Sequence, residues 1–209
     1  MSQLRTNGRK VLECHLQGDA VRAITGSMVA YEGSVSFKNA GSGGGDGMMA
    51  GLKRRATGES LKLMECTGHG VVYFAVDAQD ITIVDLTGDT LQVESQQLLL
   101  ISGNLRTDIK FSGLRGAASG QGLFTTTVTG QGQVALLSAG GPLIGLEVSP
   151  QYPLVVDPDS FVAARGQLNQ SFVTDVSWTS VMGEGGGEAF SLRWEGSGVV
   201  YIQPEERVR

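Results

Sequence analysis

One short pattern occurs three times in this chain, and it limits the possible folds more than any other feature. Thr67-Gly68-His69-Gly70-Val71-Val72-Tyr73-Phe74 returns as Thr129-Gly130-Gln131-Gly132-Gln133-Val134-Ala135-Leu136 and as Glu195-Gly196-Ser197-Gly198-Val199-Val200-Tyr201-Ile202. Each copy reads as a Gly-x-Gly turn entering an apolar β run, and a repeat at this period makes each copy one supersecondary unit. The units extend upstream. Gly58-Glu59-Ser60-Leu61, Gly120-Gln121-Gly122-Leu123 and Gly186-Gly187-Glu188-Ala189 precede the pattern. Leu16-Gln17-Gly18-Asp19, Leu86-Thr87-Gly88-Asp89 and Val148-Ser149-Pro150-Gln151 stand at the front. Gly68 lies 62 positions before Gly130, and Gly130 lies 66 before Gly196, yet Gly18 lies 70 before Gly88. The first unit therefore carries an insertion in its middle. Ala40 to Gly47, nearly all glycine and serine, is its natural place and reads as a flexible loop.

Between these glycines the pattern is β. Ile81, Ile83, Val84 and Leu86 form a dense apolar run, and Leu123 to Val128 is rich in β-branched and aromatic residues. Leu61-x-Leu63 and Phe190-x-Leu192-x-Trp194 alternate with period two. With 31 glycines in 209 residues, twice the usual ~7 %, a long helix would keep meeting breakers. Gly51 to Arg55 and Gly113 to Ala118 have room for one helical turn each. The expected fold is all-β, with three tandem units at about 11–76, 80–138 and 143–203. A unit of ~60 residues is marginal alone, and no Pro- or charge-rich linker separates the three. They are expected to pack as one domain over 1–209 with approximate threefold symmetry.

Charged residues make up 18 % of the chain, below the ~25 % of ordinary soluble domains, which fits a surface partly covered in a homo-oligomer interface and equally a Gly- and Thr-rich β surface; a homo-oligomer is the expectation. The net charge of −5 argues against a nucleic-acid partner, which calls for a basic face. Met1 to Arg9 is polar with no apolar run behind it, and no stretch approaches a membrane span. A cytoplasmic location is the expectation.

Cys14-His15 and Cys66-x-x-His69 invite a zinc reading. The repeat tests it. Cys14 aligns with Val84 and Leu146, and Cys66 aligns with Val128 and Trp194, so both thiols take the place of large apolar side chains. His69 aligns with Gln131 and Ser197, and His15 with Asp85 and Glu147, both at positions expected to face water. No metal site follows. There is no His-x-His for a cupin-type centre, no Gly-x-Ser-x-Gly, and no Lys-Ser/Thr to complete a phosphate loop at Gly41 to Gly47. Asp77, Asp80, Asp85 and Asp89 flank a strand and its turns, where Asp serves local backbone hydrogen bonds. No catalytic residue and no cofactor are assigned. The basic residues Lys53, Arg54 and Arg55, with Arg115 at the matching place in the second unit, form the one candidate interaction patch.

Three stretches carry a family resemblance: Gly51-Leu52-Lys53-Arg54 through Gly58-Glu59-Ser60-Leu61, Phe111-Ser112-Gly113-Leu114-Arg115 through Phe124, and Leu154-Val155-Val156-Asp157 through Ala163. From about Cys14 to Gln203 the chain resembles the AIM24 family. The resemblance implies three repeats similar to the subunit of the tryptophan RNA-binding attenuator protein (TRAP-like), in a β-sandwich related to the double-stranded β-helix. It implies membrane or stress association: eukaryotic members are linked to mitochondrial inner-membrane organisation, bacterial ones to membrane-associated stress systems. It supplies no catalytic residue. The third unit departs from the pattern, with Ser177-Trp178-Thr179-Ser180 where Gly-Leu-Lys/Arg is expected. The expected function is a non-catalytic scaffold or interaction protein, a homo-oligomer with a peripheral membrane or protein partner. The alternative is a small-molecule or RNA-binding module using clefts between repeats.

Overall fold

Alternation of apolar and polar side chains builds the strands. In the first unit Leu12, Cys14 and Leu16 are buried while the residues between them are not, the period of a half-buried strand. The computed structural model describes residues 2–42, 61–112, 123–173 and 191–206. They form β1 (Gln3–Asn7), β2 (Val11–Ile24), β3 (Met28–Ser42), β4 (Lys62–Phe74), β5 (Asp80–Glu94), β6 (Leu98–Ser102), β7 (Asn104–Ser112), β8 (Leu123–Ser138), β9 (Ile144–Val148), β10 (Leu154–Val156), β11 (Phe161–Val173) and β12 (Ser191–Ile202). The fold is all-β. The sequence signals missed one short 3-10 turn, Ser95–Gln97, which is capped by the Glu94 carboxylate accepting from the Gln96 amide at 2.8 Å. The helical turns expected at Gly51 to Arg55 and Gly113 to Ala118 lie outside the described residues.

The strands join one antiparallel sheet in the order β10-β12-β11-β5-β8-β6-β2-β4-β3, with β1 on β2, β7 on β8 and β9 on β12. The same local pairing occurs three times. β4 lies between β2 and β3, β8 between β5 and β6 with β7, and β12 between β9 with β10 and β11. The registers coincide: Gly68 faces Val35, Gly130 faces Leu105 and Gly196 faces Leu168.

The Gly-x-Gly pattern is therefore not a turn, as its sequence suggested. It sits in the middle of the long strands β4, β8 and β12, paired along its length. The physical reason is close backbone approach. At Gly68, with φ +126°, an added Cβ would lie 2.1 Å from the carbonyl oxygen of Ser34, and at Gly130, with φ +127°, 2.4 Å from that of Asn104. Ala40 to Ser42 likewise belong to β3 rather than to a loop, and the rest of the expected insertion lies outside the described residues.

Bulges face the glycines. The ladder slips between Gln17 and Ala20 and again between Thr87 and Thr90. In each bulge an aspartate holds the bend: Asp19 Oδ1 accepts from the Gln17 amide at 3.2 Å, and Asp89 Oδ1 from the Thr87 amide at 3.0 Å. In the third unit the front strand is split instead into β9 and β10, with a Ser149–Tyr152 bridge between them.

Two joints link the units. Val21, Arg22 and Ala23 of β2 pair with Ser102, Ile101 and Leu100 of β6, and Leu91, Gln92 and Val93 of β5 pair with Arg165, Ala164 and Ala163 of β11. Core residues cross these joints. Leu99 and Leu100 pack with Cys14, Val21 and Cys66, and Val162 and Ala163 pack with Leu91, Val93 and Val128.

Candidate functional site

The two Cys and two His residues do not come together as a reactive centre. Cys14 and Cys66 are fully buried free thiols in one apolar cluster, as their alignment with apolar residues predicted. Burial, then the neighbouring Cys66 and Asp19, push the Cys14 thiol up to about 12, and burial, then Glu65, push Cys66 to about 11. Both are held as thiols at neutral pH, the weakly nucleophilic form. His69 is exposed, with its ring over Gly18. His15 is only half-exposed, less open than expected, and its Nε2 lies 3.5 Å from Glu13 Oε2. Among the described residues no three His, Cys, Asp or Glu side chains gather in a way that could hold a metal ion.

The aspartates separate by role. Asp77 and Ala78 form a turn with positive φ, and the Ala78 carbonyl accepts from Lys10 Nζ. Asp80 is buried and ion-paired to Lys10 at 3.2 Å and Arg9 at 3.6 Å. The Ile81 amide donates to the Arg9 carbonyl at 2.7 Å beside it, so this cluster pins the β1–β2 turn to the start of β5. Asp85 accepts from Gln133 Nε2 at 2.9 Å, and Gln133 Oε1 in turn accepts from the Leu4 amide at 3.1 Å. Asp89 accepts from Arg165 Nε across the joint between β5 and β11. All are structural ties.

The joints are where polar chemistry concentrates, and nothing in the sequence signalled them. At the first, Arg22 Nη2 donates to the Leu105 carbonyl at 2.6 Å. At the second, Gln92 Nε2 donates to Gln170 Oε1 at 3.1 Å and lies 3.4 Å from Thr125 Oγ1. Behind it the buried Ser95 and Thr126 hydroxyls meet at 2.9 Å. Among the described residues the buried Gln97 Oε1 and Gln170 Nε2 have no hydrogen-bond partner. Among the described residues the large exposed apolar side chains are Val29 and Tyr31 on β3, and Ile144, Tyr152 and Val155 on or beside β9 and β10. β3 and β10 are the two ends of the strand order, while β9 pairs with β12 beside β10. Lys53, Arg54, Arg55 and Arg115, the candidate patch, lie outside the described residues, as does the divergent segment around Trp178. Among the described residues no helix is long and apolar enough to cross a membrane.

Comparison with known proteins supports the fold and the family. The chain is similar to the crystal structure of protein SPYM3_0169 from Streptococcus pyogenes, with TM-score 0.73 and 20 % identity, over 99 % of this chain and 94 % of that one. At that identity the likeness speaks for the fold alone. No curated protein matches. A family model described as "Mitochondrial biogenesis AIM24" matches residues 3–205, nearly the whole length. The chain belongs to the AIM24 family.

Proposed function

We propose that this chain is a non-catalytic scaffold that acts as a homo-oligomer and holds a membrane surface or a protein partner. In this reading its three TRAP-like β units are arranged with approximate threefold symmetry. The single observation that carries it is the placement of the exposed apolar side chains: Val29 and Tyr31 at one end of the strand order, and Val155 with its neighbours at the other. Exposed apolar side chains grouped on strand edges favour association. The buried, protonated thiols and the purely structural aspartates support a role without covalent or acid–base chemistry. The basic residues Lys53, Arg54, Arg55 and Arg115 are the proposed contact for anionic headgroups in a cytoplasmic protein of this kind. Light scattering and co-sedimentation with vesicles containing phosphatidylserine test the reading. A mass above one chain, with salt-sensitive vesicle binding, is expected. A strict monomer indifferent to the vesicles would contradict it.

A second reading is a small-molecule module at the joint between β5 and β11. The partnerless Gln170 Nε2, on the amide whose Oε1 accepts from Gln92, favours it, because a buried amide group seeks a partner. A thermal-shift screen of polar metabolites that raises the melting point of the wild type but not of Gln170→Leu would support it. Binding of RNA is the weaker branch at a net charge of −5, and filter binding without salt-sensitive retention would end it.

A further inference from the structure

The registers allow the three units to be compared residue by residue at their joints. Each joint uses the later part of one front strand and the early part of the next middle strand. In the first, Arg22 of β2 faces Ile101 of β6, and in the second, Gln92 of β5 faces Ala164 of β11. Val21, Leu91 and Leu154 are equivalent, because they pair with Cys66, Val128 and Trp194, each two positions before the first glycine of its Gly-x-Gly. On the other side Ala30, Leu100 and Ala163 are equivalent, because they pair with Tyr73, Ala135 and Tyr201. A third joint of the same kind would set Leu154, Val155 and Val156 opposite Glu32, Tyr31 and Ala30. Among the described residues it is not formed: β10 pairs only with β12, and β3 only with β4. Other outer edges, such as that of β7, are a different matter. The matching distal parts of β3 and β11 also have one partner each, so that openness belongs to every unit. Only the early part of β3 and the segment β10 lack what their two equivalents possess.

A bulged residue sharpens the comparison. Each middle strand slips by one residue at its start, at Val29, Leu99 and Val162. Leu99 and Val162 are 0 % exposed, and each enters the core cluster of the preceding unit. Val29 is 58 % exposed and belongs to no buried cluster. Among the described residues the cluster of the third unit, around Trp194, Phe161 and Val156, contains only residues between 148 and 202, so none of them supplies such a side chain from another unit. The knob without a socket and the socket without a knob are at opposite ends of one chain. The facing side chains also match. Where the inner joints place Arg22 and Gln92, this edge places Val155 at 51 % exposure, and its counterpart Tyr31, at 52 %, sits on Phe37 with ring centroids 5.2 Å apart. Apolar would meet apolar.

We propose that a second copy of this chain docks its β3 against β10 of the first, repeating the inner joint between molecules, with Val29 of one copy entering the cluster around Trp194 of the other. The contact is head-to-tail, so each copy keeps one edge of each kind and assembly continues until a ring closes or a filament grows. The partner is another copy because the two surfaces are the unused halves of a joint that the chain already makes twice. This inference rests on the self-association proposed above and assigns its surface.

The test uses two lysine variants of the full chain, Val29→Lys and Val155→Lys, followed by light scattering at concentrations up to millimolar, with circular dichroism to check the fold. Both sites are half-exposed, so the variants are expected to fold. The wild type should exceed the 21.9 kDa of one chain, and each variant alone should stay at 21.9 kDa. An equimolar mixture should form dimers of twice that mass, because each variant retains the edge that the other has lost. Val29→Thr and Val155→Thr, which keep the β-branch, should weaken assembly less. An assembly that survives Val155→Lys alone, or a mixture that forms no dimer, would overturn the edge assignment while leaving self-association standing. A wild type that stays at one-chain mass would end both.

Discussion

At Gly68 a methyl group would meet the carbonyl oxygen of Ser34 at 2.1 Å, well inside any real contact. Gly8 has a left-handed φ of +64°, but nothing lies within 4 Å of its missing Cβ. The two separate steric overlap from backbone preference. Gly8→Ala should cost about 1 kcal/mol, the left-handed penalty alone. Gly68→Ala should cost roughly 3 kcal/mol, because β3 must be pushed away as well. Urea denaturation midpoints will show whether the gap exists. The thiols give a second prediction at this scale. Held protonated by burial, Cys14 and Cys66 should fail to react with a disulfide reagent at pH 8 until the chain is unfolded in urea. Their folded-state pKa values are raised, so the stability they favour is intact below the ordinary thiol range. It is lost as alkali ionises them in the unfolded chain first. Replacing both with alanine should flatten that alkaline loss.

Strand pairing decides what the elements do. The repeat made the interior of each unit legible: aligning Gly68, Gly130 and Gly196 predicted which residues share a position, and the buried thiols follow from it. The same glycines were misread as turns, since a paired glycine serves a tight turn and a close strand approach equally well in sequence. The joints were not legible at all. Val21 to Ala23 and Ala163 to Arg165 carry no shared pattern, because each joint is only three residues long and uses whatever side chains its neighbours tolerate. Asp89 and Arg165 tie the second joint, both about one-third exposed, so Asp89→Asn should cost under ~1 kcal/mol. Burial acts to raise the Asp89 carboxyl, but the Thr87 amide and Arg165 hold it below its ordinary value. Its contribution is therefore present at neutral pH and lost as the pH falls through that lowered value. The difference between wild type and Asp89→Asn in urea should shrink in acid, and a constant difference would remove Asp89 from the joint.

At the scale of the whole molecule the described strands make an open path from β10 to β3, and in the proposed assembly its two ends are the unused halves of one joint. The chain belongs to the AIM24 family, and in the proposed assembly its leftover edges are where a surface of low charge content is covered. Native hydrogen exchange read against concentration tests this most directly. Amides 100–102 and 163–165 at the inner joints should exchange slowly at every concentration. Within 30–32 and 154–156 the amides that face the open edge, rather than β4 or β12, should exchange quickly in dilute solution and approach the protection of the inner joints as the chain is concentrated. If both outer segments keep one fast rate at every concentration, the edges stay open and the account is wrong.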